Sequence, residues 1–374
     1  LPDFAKPPRQ LFGLPSRQVL FAFGLVLIVW MAGLAGALIG VEWAQHRSGP
    51  PRKPSTLGVN VVEPRTNPLP RLDVEAIAHD LAPSVVAVQS SLVVNGQGGE
   101  SIGTGLIVTA DGEIVTNAHV VGDATTVHVR LNGESEPREA AVVAADPARD
   151  LALLRVDVTG LSPATFAAPD DIRLGDEVLS IGYALDLDGD PTVTLGIVSA
   201  LDRTLGTETG ALKGLIQSDA AVSSGNSGGP LVNALGQVVG ITTLVSSTAF
   251  GSTANGLGFA ISDAELLPEM QRLRAQANGQ PSAAGYLGVQ LDRRTDGGSG
   301  ALVGQVFPGS GAEAAGIKVG DVVVEVDGQA ISGQAALIAT IRDLAPGDHA
   351  LVSVVRDGKP FDVSIVLGER PPNS

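Results

Sequence analysis

No cysteine occurs among the 374 residues. Disulfide bonds are excluded, and the fold has to rest on its apolar core; the absence does not decide the compartment. A basic surface is missing as well. Eight Lys/Arg and three Asp/Glu lie up to Arg71, which leaves 16 basic and 37 acidic residues, net −21, for the rest of the chain. Binding to a phosphate backbone needs a basic footprint, so nucleic acid is not expected as a partner. Clustered metal ligands are also lacking. His46, His79 and His349 have no evident metal partners, and His128 alternates with apolar neighbours as on an exposed strand face. Asp186, Asp188 and Asp190 alternate in a short segment without the closing Glu of a calcium loop, which reads as a solvated turn. Neither a metal nor an organic cofactor is expected.

One long uncharged run is present, the 23 residues 19–41. At 1.5 Å rise per residue this is enough to cross a hydrocarbon core of about 30 Å, so a single transmembrane helix is expected after an N-terminal segment 1–18. A cleavable signal peptide competes with that reading. Against it stand the length of the run, beyond the usual apolar region of about 7–15 residues, and the want of a small-residue cleavage site. Lys6, Arg9 and Arg17 before the run are balanced by Arg47, Arg52 and Lys53 after it, so charge does not set the orientation. Residues 42–70 form a linker, rich in proline over 48–70. As extended chain at about 3.1 Å per residue, that stretch reaches at most about 70 Å, as a stalk would.

Beyond the stalk there is room for two compact domains. A short helix over 74–81 precedes β-branched runs separated by Gly, Asp and Asn, the texture of β-barrels. Strands are expected at 85–92, 103–108, 127–131, 141–144, 178–181, 192–201, 231–233 and 238–245. Into this pattern falls Gly225-Asn226-Ser227-Gly228-Gly229-Pro230, a serine presented by backbone geometry. Glycine tolerates positive φ and has no Cβ, so the amides of Gly225 and Ser227, on either side of Asn226, can converge on a developing oxyanion. Alone, the run is equally the composition of a plain turn. Upstream, however, His119 in Thr116-Asn117-Ala118-His119-Val120-Val121 and Asp150 in Asp150-Leu151-Ala152-Leu153-Leu154 each lie beside a strand. Amide hydrolysis by a serine needs a base for the hydroxyl proton and a carboxylate to hold the imidazole in the right tautomer. His119 fits as base, Asp150 as its orienter and Ser227 as nucleophile.

These three segments, with the stretch from Gln217 to Asn233, resemble the catalytic motifs of the HtrA-type serine proteases, a cysteine-free branch of the chymotrypsin fold. The resemblance covers roughly residues 74–368. It implies an all-β double-barrel protease domain (71–265), an interdomain helix and linker (266–284) and an α+β PDZ domain (285–369). It also implies a membrane-anchored homotrimer with a cytoplasmic N-terminus and both domains outside. The chain between Gln89 and Ile102 is short where cage-forming members carry a long insert. Ala221, six residues before Ser227, occupies the position that sets the pocket for the residue preceding the cut. Being uncharged, it suits small or medium apolar residues, with Thr243, Leu244 and Val245 as further substrate-binding residues. Asp219 is two residues away, with a structural hydrogen bond as its main reading. The neutral Asn226 cannot pair with a freed N-terminal amine, which disfavours activation by trimming.

In the PDZ-like part, Tyr286-Leu287-Gly288-Val289 has the form of a loop whose amides receive a peptide carboxylate. A helix over 334–344 forms the other wall. Leu287, Val289, Ile338 and Ile341 would take a peptide's apolar C-terminal end, although Ile338 and Ile341 fit equally well as domain core. The expected protein is an ATP-independent serine endopeptidase acting on unfolded or regulatory polypeptides. The alternative is a catalytically latent PDZ scaffold or chaperone.

Overall fold

The structure, a computed structural model, describes residues 59–62, 69–94, 97–169, 171–183, 189–207, 210–223, 225–243, 257–280 and 284–369. The expected transmembrane run 19–41 lies outside these residues. Among the described residues, no helix is long and apolar enough to cross a membrane.

Six antiparallel strands close the first barrel in the order Val85–Val94, Gln97–Ile107, Glu113–Thr116, Leu151–Val156, Arg138–Asp146 and Thr126–Arg130. Strict alternation along these β-branched runs turns one side chain of each pair inward. Val86, Val88, Ile107, Ile114, Val127, Val129 and Leu154 accordingly form a core with almost no exposure. Gly105 sits where a Cβ would strike Ile114 at 2.7 Å, so the barrel wall closes there only on glycine. A second ring runs through Val238–Thr243, Pro230–Val232, Glu177–Gly182, Thr192–Thr207, Gly210–Ser218 and Gly258–Ser262, and back to Val238–Thr243.

Several strands exceed the span expected from sequence. Thr192–Thr207 and Gly210–Ser218 form one long hairpin whose register shifts three times. Such shifts let polar residues continue a ladder past the point where apolar alternation stops. Part of the expected stalk is also packed. Asn60–Val61 pairs in parallel with Thr165–Phe166, and the Val62 amide donates to Phe166 O at 3.1 Å.

Helix α1 (Val74–Leu81) is capped by Asp73, whose carboxylate accepts the Ala76 amide at 3.2 Å. Short α2 (Ala118–Val121) carries His119. The helix expected within 266–284 is α3 (Asp263–Ala277), which starts ahead of that segment and buries Leu266, Leu267, Met270 and Leu273. The helix packs against strands of both barrels. Pro268 stands inside the helix and cannot donate the bond that an amide there would make to Ala264 O.

The C-terminal domain has a sheet ordered Val289–Asp292, Ala301–Val306, Val322–Val326, His349–Arg356 and Lys359–Val366, with α4 (Gly311–Ala314) and α5 (Gln334–Arg342) against it. Its core includes Leu287, Val303, Val323, Leu337 and Val352. α5 docks on the protease hairpin. Arg342 donates to Ala148 O at 2.5 Å and to Ala211 O at 2.8 Å, and Lys213 pairs with Asp343.

Candidate active site

Asn117 caps α2 in extended conformation, so the chain turns at once from the strand Glu113–Thr116 and lays His119 at the barrel mouth. The Asn117 side-chain amide donates to Asp150 O at 2.9 Å. Asp150 itself has φ +55, the left-handed region, which costs a residue with a Cβ about 1–2 kcal/mol. Its partners offset that cost. Asp150 Oδ1 accepts the His119 backbone amide at 3.0 Å, and both carboxylate oxygens lie 2.9 Å from His119 Nδ1. Thr243 Oγ1 donates to Oδ2 at 2.7 Å. An ionised carboxylate only accepts, so the ring proton belongs on Nδ1 and the lone pair on Nε2. The Asp150 side chain is 13% exposed and that of His119 43%, a buried orienter beneath an accessible ring.

Ser227 comes from the second barrel. Its Oγ is buried and has no hydrogen-bond partner among the described residues, so the bond from Ser227 to His119 is unmade. Catalytic hydrogen bonds often tighten only when substrate is bound. The loop around it is held by its carbonyls. Thr104 Oγ1 donates to Gly225 O at 2.6 Å, and Thr242 Oγ1 donates to Asn226 O at 2.6 Å. The Asn226 amide is engaged by Ser223 O at 3.1 Å, which removes it from any oxyanion site. The amides of Gly225 and Ser227 donate to nothing among the described residues. Gly225 and Gly228 have φ +100 and +86, and a Cβ on Gly228 would meet Thr104 O at 2.0 Å.

The residues expected to bind substrate divide. Ala221 is exposed, and its carbonyl accepts Thr194 Oγ1 at 2.8 Å. Asp219 Oδ1 accepts the Ile197 amide at 2.7 Å. Thr243 is buried with its hydroxyl turned to Asp150, so its side chain supports the carboxylate rather than lining a pocket. Leu244 and Val245 lie outside the described residues. Thr104, Asn117, Thr242 and the Thr243 hydroxyl were not singled out from sequence. The available signal was the occurrence of polar side chains within otherwise apolar β-runs.

A second concave site of about 720 Å³ is lined by Tyr286, Leu287, Gly288, Val289, Ile338 and Ile341, and opens against Ala145 to Arg149 of the protease domain. Leu287 O accepts the Ala312 amide at 3.0 Å, and Gly288 O accepts the Phe307 amide at 2.9 Å. In trans peptides the amides of Gly288 and Val289 therefore face the other way. Gly288 has φ +83, and a Cβ there would strike Ser310 Cβ at 2.0 Å. Leu287 and Ile341 are also part of the domain core, whereas Ile338 is 41% exposed.

Below the groove, Arg149 reaches Asp146 at 2.7 Å and Asp343 at 2.9 Å. Its Nε lies 3.2 Å from Glu269 Oε2 without the alignment of a hydrogen bond. Burial therefore prevails over the nearby Arg149 and Arg272 and pushes the Glu269 carboxyl up to about 7.

Residues 103–241 match the trypsin-like peptidase domain family and residues 285–367 the PDZ domain family. The serine protease PepD of Mycobacterium tuberculosis is 36% identical over 369 residues, covering 91% of this chain and 76% of that protein. A probable periplasmic DegP-like serine endoprotease of Ectopseudomonas mendocina is 37% identical over 281 residues, or 73% of this chain, which spans 57% of that protein's length. Among solved structures, the HtrA-type protease AlgW with a decapeptide superposes with a TM-score of 0.63 at 30% identity, covering 80% of this chain and all of that one. With a trypsin-like peptidase domain followed by a PDZ domain, and with this identity to PepD and AlgW, the chain belongs to the HtrA-type family of trypsin-like serine endopeptidases.

Proposed function

We propose that the chain is a membrane-tethered, ATP-independent endopeptidase that cuts unfolded or regulatory polypeptides outside the cytoplasm. The observation that carries the catalytic part is His119 Nδ1 held 2.9 Å from both Asp150 oxygens. Nε2 is then the base. It takes the Ser227 hydroxyl proton as Oγ attacks the scissile carbonyl, and returns it to the leaving amine. Water then repeats the sequence on the acyl-enzyme, releasing the acid and restoring Ser227. The free Gly225 and Ser227 amides would hold the oxyanion. The uncharged Ala221 supports a preference for apolar residues before the cut.

The groove beside Leu287 to Val289 supports capture of hydrophobic peptide C-termini, and AlgW was solved with bound peptides. Tethering rests on the uncharged run 19–41, and an extracytoplasmic site on the periplasmic relatives. A homotrimer accords with the family. A latent scaffold or chaperone is the second reading, favoured by the unmade bond from Ser227 to His119. The deciding experiment incubates the full chain and its Ser227→Ala variant with casein, with and without a hydrophobic C-terminal peptide. Cuts after apolar residues by the wild type alone support the protease. No cleavage under either condition, by folded protein, overturns it in favour of the scaffold.

A further inference from the structure

We propose that Thr104, on the first barrel, is a positioning residue for the oxyanion loop of the second; this rests on the reading of Ser227 as nucleophile. Thr104 is fully buried; its amide and hydroxyl are spent on the seam between the barrels, and its carbonyl bonds within the first barrel. Its amide donates to Ser227 O at 2.8 Å, its carbonyl accepts Thr116 Oγ1 at 2.7 Å, and its hydroxyl accepts the Tyr183 amide at 2.9 Å while donating to Gly225 O at 2.6 Å. A hydroxyl has one proton, and the direction of this relay is fixed because Gly225 O can only accept and the Tyr183 amide can only donate.

The effect on the loop follows from peptide planarity. The peptide joining Gly225 and Asn226 is clamped at both ends, its oxygen by Thr104 Oγ1 and its N–H by Ser223 O. That clamp holds Gly225 at φ +100 and so fixes the direction of the Gly225 amide. The next peptide is held by Thr242 Oγ1 on Asn226 O, which turns the Ser227 amide away from the barrel interior. Thr242 can also approach Gly229 O, at 3.0 Å, whereas the Thr104 hydroxyl donates to Gly225 O alone among the described residues. The Tyr183 amide follows the strand Glu177–Gly182, so the relay also ties the end of that strand to the oxyanion loop.

Replacing the hydroxyl by a methyl of the same shape, as in Thr104→Val, leaves Gly225 O and the Tyr183 amide buried without partners. Loss of a whole oxyanion donor costs about 100- to 1000-fold in kcat, so a misdirected donor should cost about 10- to 100-fold. The test measures kcat and KM of the full chain on a fluorogenic casein peptide for wild type, Ser227→Ala, Thr104→Val and Thr104→Ser, with melting curves for each. The expected result is a 10- to 100-fold fall in kcat for Thr104→Val, with KM within about twofold of wild type, and recovery to within about threefold in Thr104→Ser. A general loss of folding would lower active enzyme in both variants and would not be rescued by serine. A folded Thr104→Val with kcat near wild type overturns the proposal. If Thr104→Val does not fold, a folded Thr104→Ser that loses more than tenfold in kcat overturns it as well, because serine retains the relay. Wild type that cleaves no more than Ser227→Ala overturns the reading of the nucleophile, and the proposal with it.

Discussion

Arg149 of the protease domain and Asp343 at the end of the PDZ helix α5 lie 2.9 Å apart, one residue before the carboxylate that holds His119. The left-handed backbone of Asp150 sends these neighbours to different tasks, Arg149 to the domain contact and Asp150 to the imidazole. Asp343→Ala removes this pair and the one with Lys213. Arg342→Ala removes the bonds to Ala148 O and Ala211 O. The double variant should let the PDZ domain swing out, raising the radius of gyration in solution scattering and the rate at which trypsin cuts after Arg272 or Arg274. An unchanged scattering curve would show that these side-chain bonds are not what fixes the docking.

Glu269 makes the stability of the assembly depend on pH. Its carboxyl is pushed up from 4.5 to about 7, so between these values the folded chain keeps a proton that the unfolded chain has lost. Stability is therefore greatest below about pH 4.5 as far as this group is concerned, and falls as pH rises toward 7, by on the order of 3 kcal/mol in all. Glu269→Gln should flatten that slope in urea melts from pH 5 to 8. A slope equal to that of wild type would mean that another group titrates.

Thr243→Val should lower kcat about tenfold, since it deletes a charge-assisted bond to Asp150 while leaving the His119 contact in place. Asp150→Asn should cost far more, about 10⁴-fold, by favouring the wrong tautomer of the ring. Equal losses in the two variants would contradict this ranking.

Peptides varied at the residue before the cut should be cleaved best with Val, Ala or Leu. Best cleavage after Arg would remove Ala221 from its assigned place and direct attention to Asp219, whose carboxylate is engaged by the Ile197 amide.

Leu287→Glu should abolish binding of a hydrophobic C-terminal peptide in a calorimetric titration. Gly288→Ala should do so as well, because its Cβ has only 2.0 Å to Ser310 Cβ. Ile338→Ala tests the exposed wall alone, and unchanged affinity there would restrict the groove to the Leu287 side.

Much of this was legible in the sequence, for identifiable reasons. The helix Val74–Leu81 coincides with its expected span, and the strand Glu177–Gly182 contains the expected 178–181, because apolar periodicity and turn residues mark both ends. The extension of Thr192–Thr207 past residue 201 was not legible, since Asp202, Arg203 and Thr204 break the alternation and the strand is carried on by hairpin pairing with Gly210–Ser218. Likewise the start of α3 at Asp263, ahead of the expected segment 266–284, is set by strands of both barrels that cover its apolar face. His119, Asp150 and Ser227 stand in local motifs that can be read singly. Thr104 and Thr243 matter only through partners 121 and 93 residues away, and no local pattern records such a distance.

The seam between the barrels has a thermal consequence. Each barrel closes on its own ladder of backbone bonds, but the proposed catalytic groups are placed across the gap by a few bonds from Thr104 and Thr243, with no disulfide in a chain free of cysteine. On heating, turnover should fade while both barrels still give a native circular dichroism spectrum, and return on cooling: a reversible misalignment that precedes melting.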